Sequence, residues 1–226
     1  MKKIMVVISV VMFFGAVMAA ESSPKDYCPL EPGLKWTYGL YNKKDKIQRP
    51  DVQALIDKAE KYGKQEYALY EVPSRGIKCF VRADDEGIWV KAAQMNLPVL
   101  SFIYVTLELE KEANILVFPV QQGQKWNYEG NVRVKALAII SIKAKVMVEM
   151  ENKGIEEVLA GGNTVSAYHI SARVNRNLVD NNPMTGSCWM ARGLGLVKAE
   201  TKNSMLALHE ISAGNIQEKT DNKNIR

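Results

Sequence analysis

From residue 132 to residue 151 every second side chain is apolar. The even positions are Val132, Val134, Ala136, Ala138, Ile140, Ile142, Ala144, Val146, Val148 and Met150. The odd positions include Arg133, Lys135, Ser141, Lys143, Lys145, Glu149 and Glu151, interrupted by Leu137, Ile139 and Met147. A period of two belongs to an extended strand, whose side chains point alternately to its two faces. Neither glycine nor proline breaks the run. At roughly 3.3 Å per residue it is long for one strand, so a bend or bulge is expected inside it. One apolar face beside a basic one suits a strongly curved sheet with a dry concave side. The small residues Ala136, Ala138 and Ala144 would leave room on that side for a ligand. Val134, Ala136, Ala138, Ile140, Ile142 and Ala144 are therefore the candidate ligand-binding residues.

An internal repeat gives the next constraint. Pro29-Leu30-Glu31-Pro32-Gly33-Leu34-Lys35-Trp36-Thr37-Tyr38 returns as Pro119-Val120-Gln121-Gln122-Gly123-Gln124-Lys125-Trp126-Asn127-Tyr128, sharing the pattern P-x-x-x-G-x-K-W-x-Y. Further on, Cys79-Phe80 leading to Gly87 and Val90-Lys91-Ala92 resembles Cys188-Trp189 leading to Gly195 and Val197-Lys198-Ala199. Two motifs in the same order argue for duplication. The expected organisation is a first β-rich repeat over 21–112, a second over 113–212, and a flexible polar tail over 213–226. In the first motif Pro and Gly shape a turn, and the aromatic pair then falls on one strand face.

Gly161-Gly162-Asn163 marks a turn, after which Tyr168, Ile170, Ala172 and Val174 alternate with polar residues. Further strands are expected near Cys188–Met190, Gly195–Ala199 and Met205–Ile211, and in the first half at Glu66–Val72, Ile77–Arg82, Gly87–Ala92 and Val99–Glu110. One segment reads as a helix: Pro50-Asp51 opens an apolar stripe of Val52, Leu55, Ile56 and Ala59, and Gly63 stops it. The fold class is mainly β: curved antiparallel sheets or a half-barrel built from a duplicated unit, with one or two short helices.

The first twenty residues have the layout of a secretory signal peptide. Lys2 and Lys3 precede an apolar run from Ile4 to Ala20, broken only by Ser9, and a polar stretch begins at Glu21. The expected location is periplasmic or secreted, with no stable membrane span after cleavage. Losing that leader lowers the net charge from +5 to +3, because it removes two lysines and no acid. So small and dispersed a charge does not suit a nucleic-acid reader. Cys28, Cys79 and Cys188 are an odd number, so at least one thiol is unpaired; one disulfide and three buried thiols are both open.

The leader, the paired strand openers and Gly195-Leu196-Val197-Lys198 together resemble a group of exported bacterial domains of unknown function labelled TapB-like. Glu156 to Val165 is similar to that group's hairpin before its central strand, and Cys188-Trp189 to its tryptophan strand. The resemblance covers most of 113–212 and more faintly 28–112. It implies the architecture of the LolA/LolB-like carriers, a curved antiparallel half-barrel around an apolar groove, and with it a lipid or other apolar partner. No lipid-contacting residue of a carrier maps onto this chain one by one.

No nucleophile elbow, zinc motif, phosphate loop or dinucleotide fingerprint is present. The only histidines are His169 and His209, and they would form a catalytic pair only if their strands are neighbours. Asp84-Asp85-Glu86 reads as a solvated turn, since calcium loops space their oxygen ligands. The sequence therefore points to a non-enzymatic exported binding protein, without cofactor or metal, that holds an apolar molecule or a hydrophobic segment of an envelope protein. A structural module of an envelope or appendage assembly, acting through exposed strand edges, is the alternative; a hydrolase with an unrecognised site is a third.

Overall fold

The computed structural model describes residues 23–44, 48–97, 100–136, 140–176 and 184–213. The leader, the tail beyond Ala213 and Ala138 lie outside these residues. A short helix α1 (Pro24–Tyr27) is followed by twelve strands: β1 (Leu34–Asn42), β2 (Gln48–Tyr62), β3 (Gln65–Val72), β4 (Ile77–Asp84), β5 (Gly87–Leu97), β6 (Leu100–Val117), β7 (Lys125–Ala136), β8 (Ile140–Ala160), β9 (Asn163–Arg176), β10 (Met184–Ala191), β11 (Gly195–Thr201) and β12 (Ser204–Ala213). Each strand pairs antiparallel with its chain neighbours, and β1 pairs with β12 from Leu34↔Ala213 to Asn42↔Ser204. The molecule is a closed barrel.

Closure corrects the half-barrel expectation. The first and last strands satisfy each other's backbone groups, which an open sheet leaves exposed at its edges. The edges of the first and last strands are therefore not available for the interaction expected as the alternative.

The segment expected as a helix is β2. Its even residues Val52, Ala54 and Ile56 are buried, as in a strand, and a register shift between Ile56 and Ala59 throws the later alternation out of phase. Pro50 is tolerated because the β1–β2 register also slips beside it, between Tyr38 and Leu40, where no ladder hydrogen bond needs its missing N–H. The long run 132–151 is likewise two strands: β7 ends at Ala136 and β8 begins at Ile140, with Val132 facing Ala144 across the pair.

Both repeat motifs fall at corresponding places. Trp36-Thr37-Tyr38 lies on β1 and Trp126-Asn127-Tyr128 on β7. Cys79-Phe80 lies on β4 and Cys188-Trp189 on β10, and in each the register shifts one step later, between Phe80 and Val81 and between Trp189 and Met190.

Two neighbouring pairs join over only part of their length. Strands β6 and β7 are paired from Val105↔Ala136 to Leu109↔Val132, and β11 and β12 only from Lys198↔Ala207 to Glu200↔Met205. Below these points the strands diverge, and carbonyls on the open seams need other donors. The repeated aromatics supply them. Trp126 Nε1 donates to the Asn114 carbonyl at 2.9 Å. Trp36 Nε1 donates to Leu194 at 2.8 Å, and Tyr38 Oη to Leu196 at 3.0 Å. The end of hairpin β8–β9 also closes on the second seam: Gly161 N–H donates to Leu208 O at 2.9 Å, and Val158, Ala160 and Ala167 join the cluster of Trp36, Tyr38, Val197 and Leu208.

The N-terminal segment closes one end of the barrel. Helix α1 packs against β4 and β5 on one wall and β11 on another. Gly193 N–H donates to Asp26 O, Arg192 Nη2 lies 3.0 Å from Asp26 Oδ2, and the Tyr27 ring packs on Phe118 and Tyr168. Beneath this plug lies the second core cluster, which holds Val81, Ile88, Leu116, Tyr128, Met150, Ile170 and Met190. All three cysteines pack against it, and all three are free thiols. Burial pushes the Cys28 and Cys188 thiols up to about 12 and Cys79 up to about 11. Thiols so enclosed are poor nucleophiles. Ellman's reagent should therefore titrate none of them in the native protein and all three in denaturing guanidinium without reductant. A denatured count of one would mean that a disulfide had formed.

Candidate functional site

Cross-strand partners share a face of the sheet, so the inner wall can be followed from strand to strand. One row runs Ile56, Tyr70, Cys79, Ala93, Leu107, Val134 and Ile142, each opposite the next. It begins in the buried core with Ile56 and ends on β8. A second row, one step nearer the unplugged end, runs Val72, Ile77, Met95, Val105 and Ala136. Neither row contains a charged residue.

Exposure along this wall changes with height. Ala144, next to the core, is only 4% exposed; Val134 and Ala136 are half-buried; Ile142 is 54% exposed although it lies on the inner face. Met184, on the inner face of β10 by its alternation with Cys188 and Met190, is 50% exposed at the same end. Val72, Ile77, Met95, Val105, Leu107 and Val174 are half-buried. A barrel of about eight strands is filled by its own side chains, whereas twelve enclose a wider lumen. Among the described residues the plugged end is filled, and at the other end the apolar Ile142 and Met184 are exposed.

The structure thus brings Val134, Ala136, Ile142 and Ala144 together on the inner wall. Ala144 is core and the other three line the mouth. Ile140 continues the second row in backbone register, and Ala138 lies outside the described residues. Met184, Leu107, Val105, Met95 and Ile77 complete the mouth and were missed in the sequence. Their own strands alternate, but nothing local tells which distant strands share a wall with 132–150.

The outer wall carries the polar clusters. Strands β9 and β12 are not neighbours, so the two histidines serve separate groups. His169 Nδ1 lies 2.7 Å from Glu156 Oε1, its ring stacks on Trp189 at 4.4 Å, and Trp189 Nε1 donates to Glu156 Oε2 at 2.8 Å. His209 Nε2 lies 2.9 Å from Tyr41 Oη, above Gly39, where any side chain would strike the ring. A groove of about 490 Å³ passes between Leu159, Lys198, Met205 and His209. A larger polar cleft of about 870 Å³ crosses the outer face of β7 to β11, floored by Ser171, Ser187 and Gly186. The acidic turn 84–86 is closed by Asp84, which accepts from Trp89 Nε1, from Arg82 and from the backbone of Glu86 and Gly87. Its carboxyl is held below the usual range: burial works to raise it, and the indole and guanidinium hydrogen bonds outweigh that.

No protein-family model and no curated protein matches the chain. Among solved structures, a protein described as a provisional lipoprotein from Parabacteroides distasonis has a similar fold, with a TM-score of 0.52, 14% identity, and coverage of 82% of this chain and 98% of its own. An exported protein of Bacteroides fragilis with a YmcC-like fold gives 0.46 at 16% identity over 80% of this chain and 96% of its own. The hypothetical lipoprotein YmcC of Escherichia coli gives 0.43 at 9% identity over 88% and 94%. The likeness is one of fold. Among the described residues no helix is long and apolar enough to cross a membrane.

Proposed function

We propose that this protein is a non-enzymatic, exported binding protein that takes an apolar molecule, or an apolar segment of an envelope partner, into the unplugged end of its barrel. The observation that carries this reading is the apolar inner wall left open to solvent there, with Ile142 and Met184 at its lip. Soluble folds bury such a wall unless something else covers it. Export is supported by the leader-like N-terminus and accords with the description of the Parabacteroides protein as a lipoprotein. The repeats, 21–112 and 113–212, are read as two six-stranded units, with the join moved to the β6–β7 connection so that no strand is cut.

Nile red, a neutral apolar dye, tests the reading. The mature protein should bind it with a blue shift, and Ile142→Asp should weaken binding about tenfold, since a carboxylate must then be desolvated by the dye. Ile142 is exposed, so the variant should fold and melt like the parent. An unshifted dye spectrum with the parent protein, and no lipid in its organic extract, would end this reading.

One observation favours an interaction module. Ile155 and Leu159, on hairpin β8–β9, are 63% and 69% exposed. A stoichiometric protein partner lost on Leu159→Asp but kept on Ile142→Asp would select that function.

A further inference from the structure

The two ends of the barrel differ in charge as well as in closure. At the open end the described turns are 43–44, 73–76 and 202–203, and their charged residues are Lys43, Lys44, Arg75 and Lys202. None is acidic. At the plugged end the hairpin turns carry Lys64 and Arg192 against Asp85 and Glu86, which balance.

Internal pairing does not consume this charge. Lys43 is tied to Glu200 at 2.5 Å, but Arg75 and Lys202 are exposed and form no ion pair among the described residues. On the outer face of the β7–β8 hairpin, Lys143 stands directly opposite Arg133, with the Glu110 carboxylate acting on it. Like charges facing each other across a ladder are unfavourable, and Glu108 answers Arg133 at 3.9 Å and Lys135 at 2.8 Å. An uncharged apolar wall below a cationic rim is complementary to a molecule with a hydrocarbon chain and an anionic head.

From this arrangement we infer that the ligand is an anionic amphiphile, its chain against Val134, Leu107 and Ile142 and its carboxylate or phosphate at the rim of Lys44, Arg75 and Lys202. The inference rests on the apolar-binding reading above. The rim contributes selectivity and capture rate; the wall contributes most of the affinity.

Displacement of Nile red by dodecanoate and by dodecanol, which share a chain and differ in charge, separates the two claims. At low salt dodecanoate should compete about tenfold better than dodecanol, and added salt should erase the difference. The combined Lys44→Gln, Arg75→Gln, Lys202→Gln variant should lose the preference while binding Nile red as before. Dodecyl phosphate should behave as dodecanoate, and inorganic phosphate alone should displace nothing. Equal competition by acid and alcohol, or a preference that survives both salt and the triple variant, overturns the anionic-head assignment and leaves the apolar site standing. Failure of Nile red itself to bind overturns the apolar site. Should the triple variant not fold, the salt dependence of the parent and the single Lys202→Gln variant decide the matter.

Discussion

Trp36→Ala is expected to lower the unfolding free energy by about 3–5 kcal/mol, the range for removing a large buried aromatic side chain. Trp36 is only 3% exposed, lies in the cluster that closes the second seam, and packs on the Tyr70 ring at 5.8 Å. Truncation leaves a void beneath the β8–β9 hairpin and strips Leu194 O of its donor. The conservative change separates the two losses. Trp36→Phe keeps most of the packing and removes the N–H, so about 1–3 kcal/mol should remain, the cost of a buried carbonyl left unpaired. The second Trp-x-Tyr strand provides an internal control. Trp126 makes the matching bond to Asn114 O but is only half-buried, so Trp126→Ala should cost distinctly less than Trp36→Ala. Guanidinium unfolding of the four proteins, followed by circular dichroism, measures this order. Equal losses at both tryptophans would mean that the seams, rather than burial, set the energy.

The aromatic motif was visible in the sequence, and its job was not. Spacing by two puts Trp36 and Tyr38 on one strand face, and both are buried there. That their polar atoms would finish hydrogen bonds on β11 depends on where two strands separate. Nothing near residue 36 encodes that. The period of two in 132–151 was legible for the opposite reason: it is local, and burial on one side imposes it residue by residue. Its division into two strands was hidden because residues 137–139, Leu-Ala-Ile, carry no turn chemistry. The segment 51–62 misled because its alternation lasts only from Val52 to Ile56 before the register slips. Four apolar residues at 52, 55, 56 and 59 then fit a helix as well as a strand. Closure was the least legible feature, since it pairs residues from the two ends of the described chain. The candidate site was legible as one stripe on β7 and β8. The opposite part of the wall, Ile77, Met95 and Met184, appears only once the barrel fixes the neighbours.

Among the described residues Asn152 is the one fully buried polar side chain, at 0% exposure, and replacing it by leucine should cost about 2–4 kcal/mol. Its position explains why. The register of β8 against β9 shifts between Asn152 and Gly154, and Gly154 takes the left-handed region at φ +111°. Asn152 Oδ1 accepts the Gly154 N–H at 3.0 Å, and Nδ2 donates to Gln121 O at 2.8 Å. Its backbone also pairs with the β6–β7 connection, receiving Gly123 N–H at 2.7 Å and donating to Gln124 O at 2.9 Å. One side chain thus ties the bulge to the connection that precedes the second Trp-x-Tyr strand. Leucine abandons both side-chain bonds at a position with no exposed surface of its own. Asn152→Asp is the sharper test, because it is nearly isosteric and differs in charge and in one donor. The oxygen replacing Nδ2 would face the Gln121 carbonyl, acceptor against acceptor, in a buried place, so the folded carboxyl should titrate above the unfolded value of about 3.9. A group whose folded pKa is raised favours the native state most below the unfolded pKa and least above the folded one. The Asp variant should therefore lie close to the parent in acid and fall behind it as the pH rises toward neutral. A parallel pH dependence for the two proteins would show that the Asn152 amide makes no bond to Gln121 that matters.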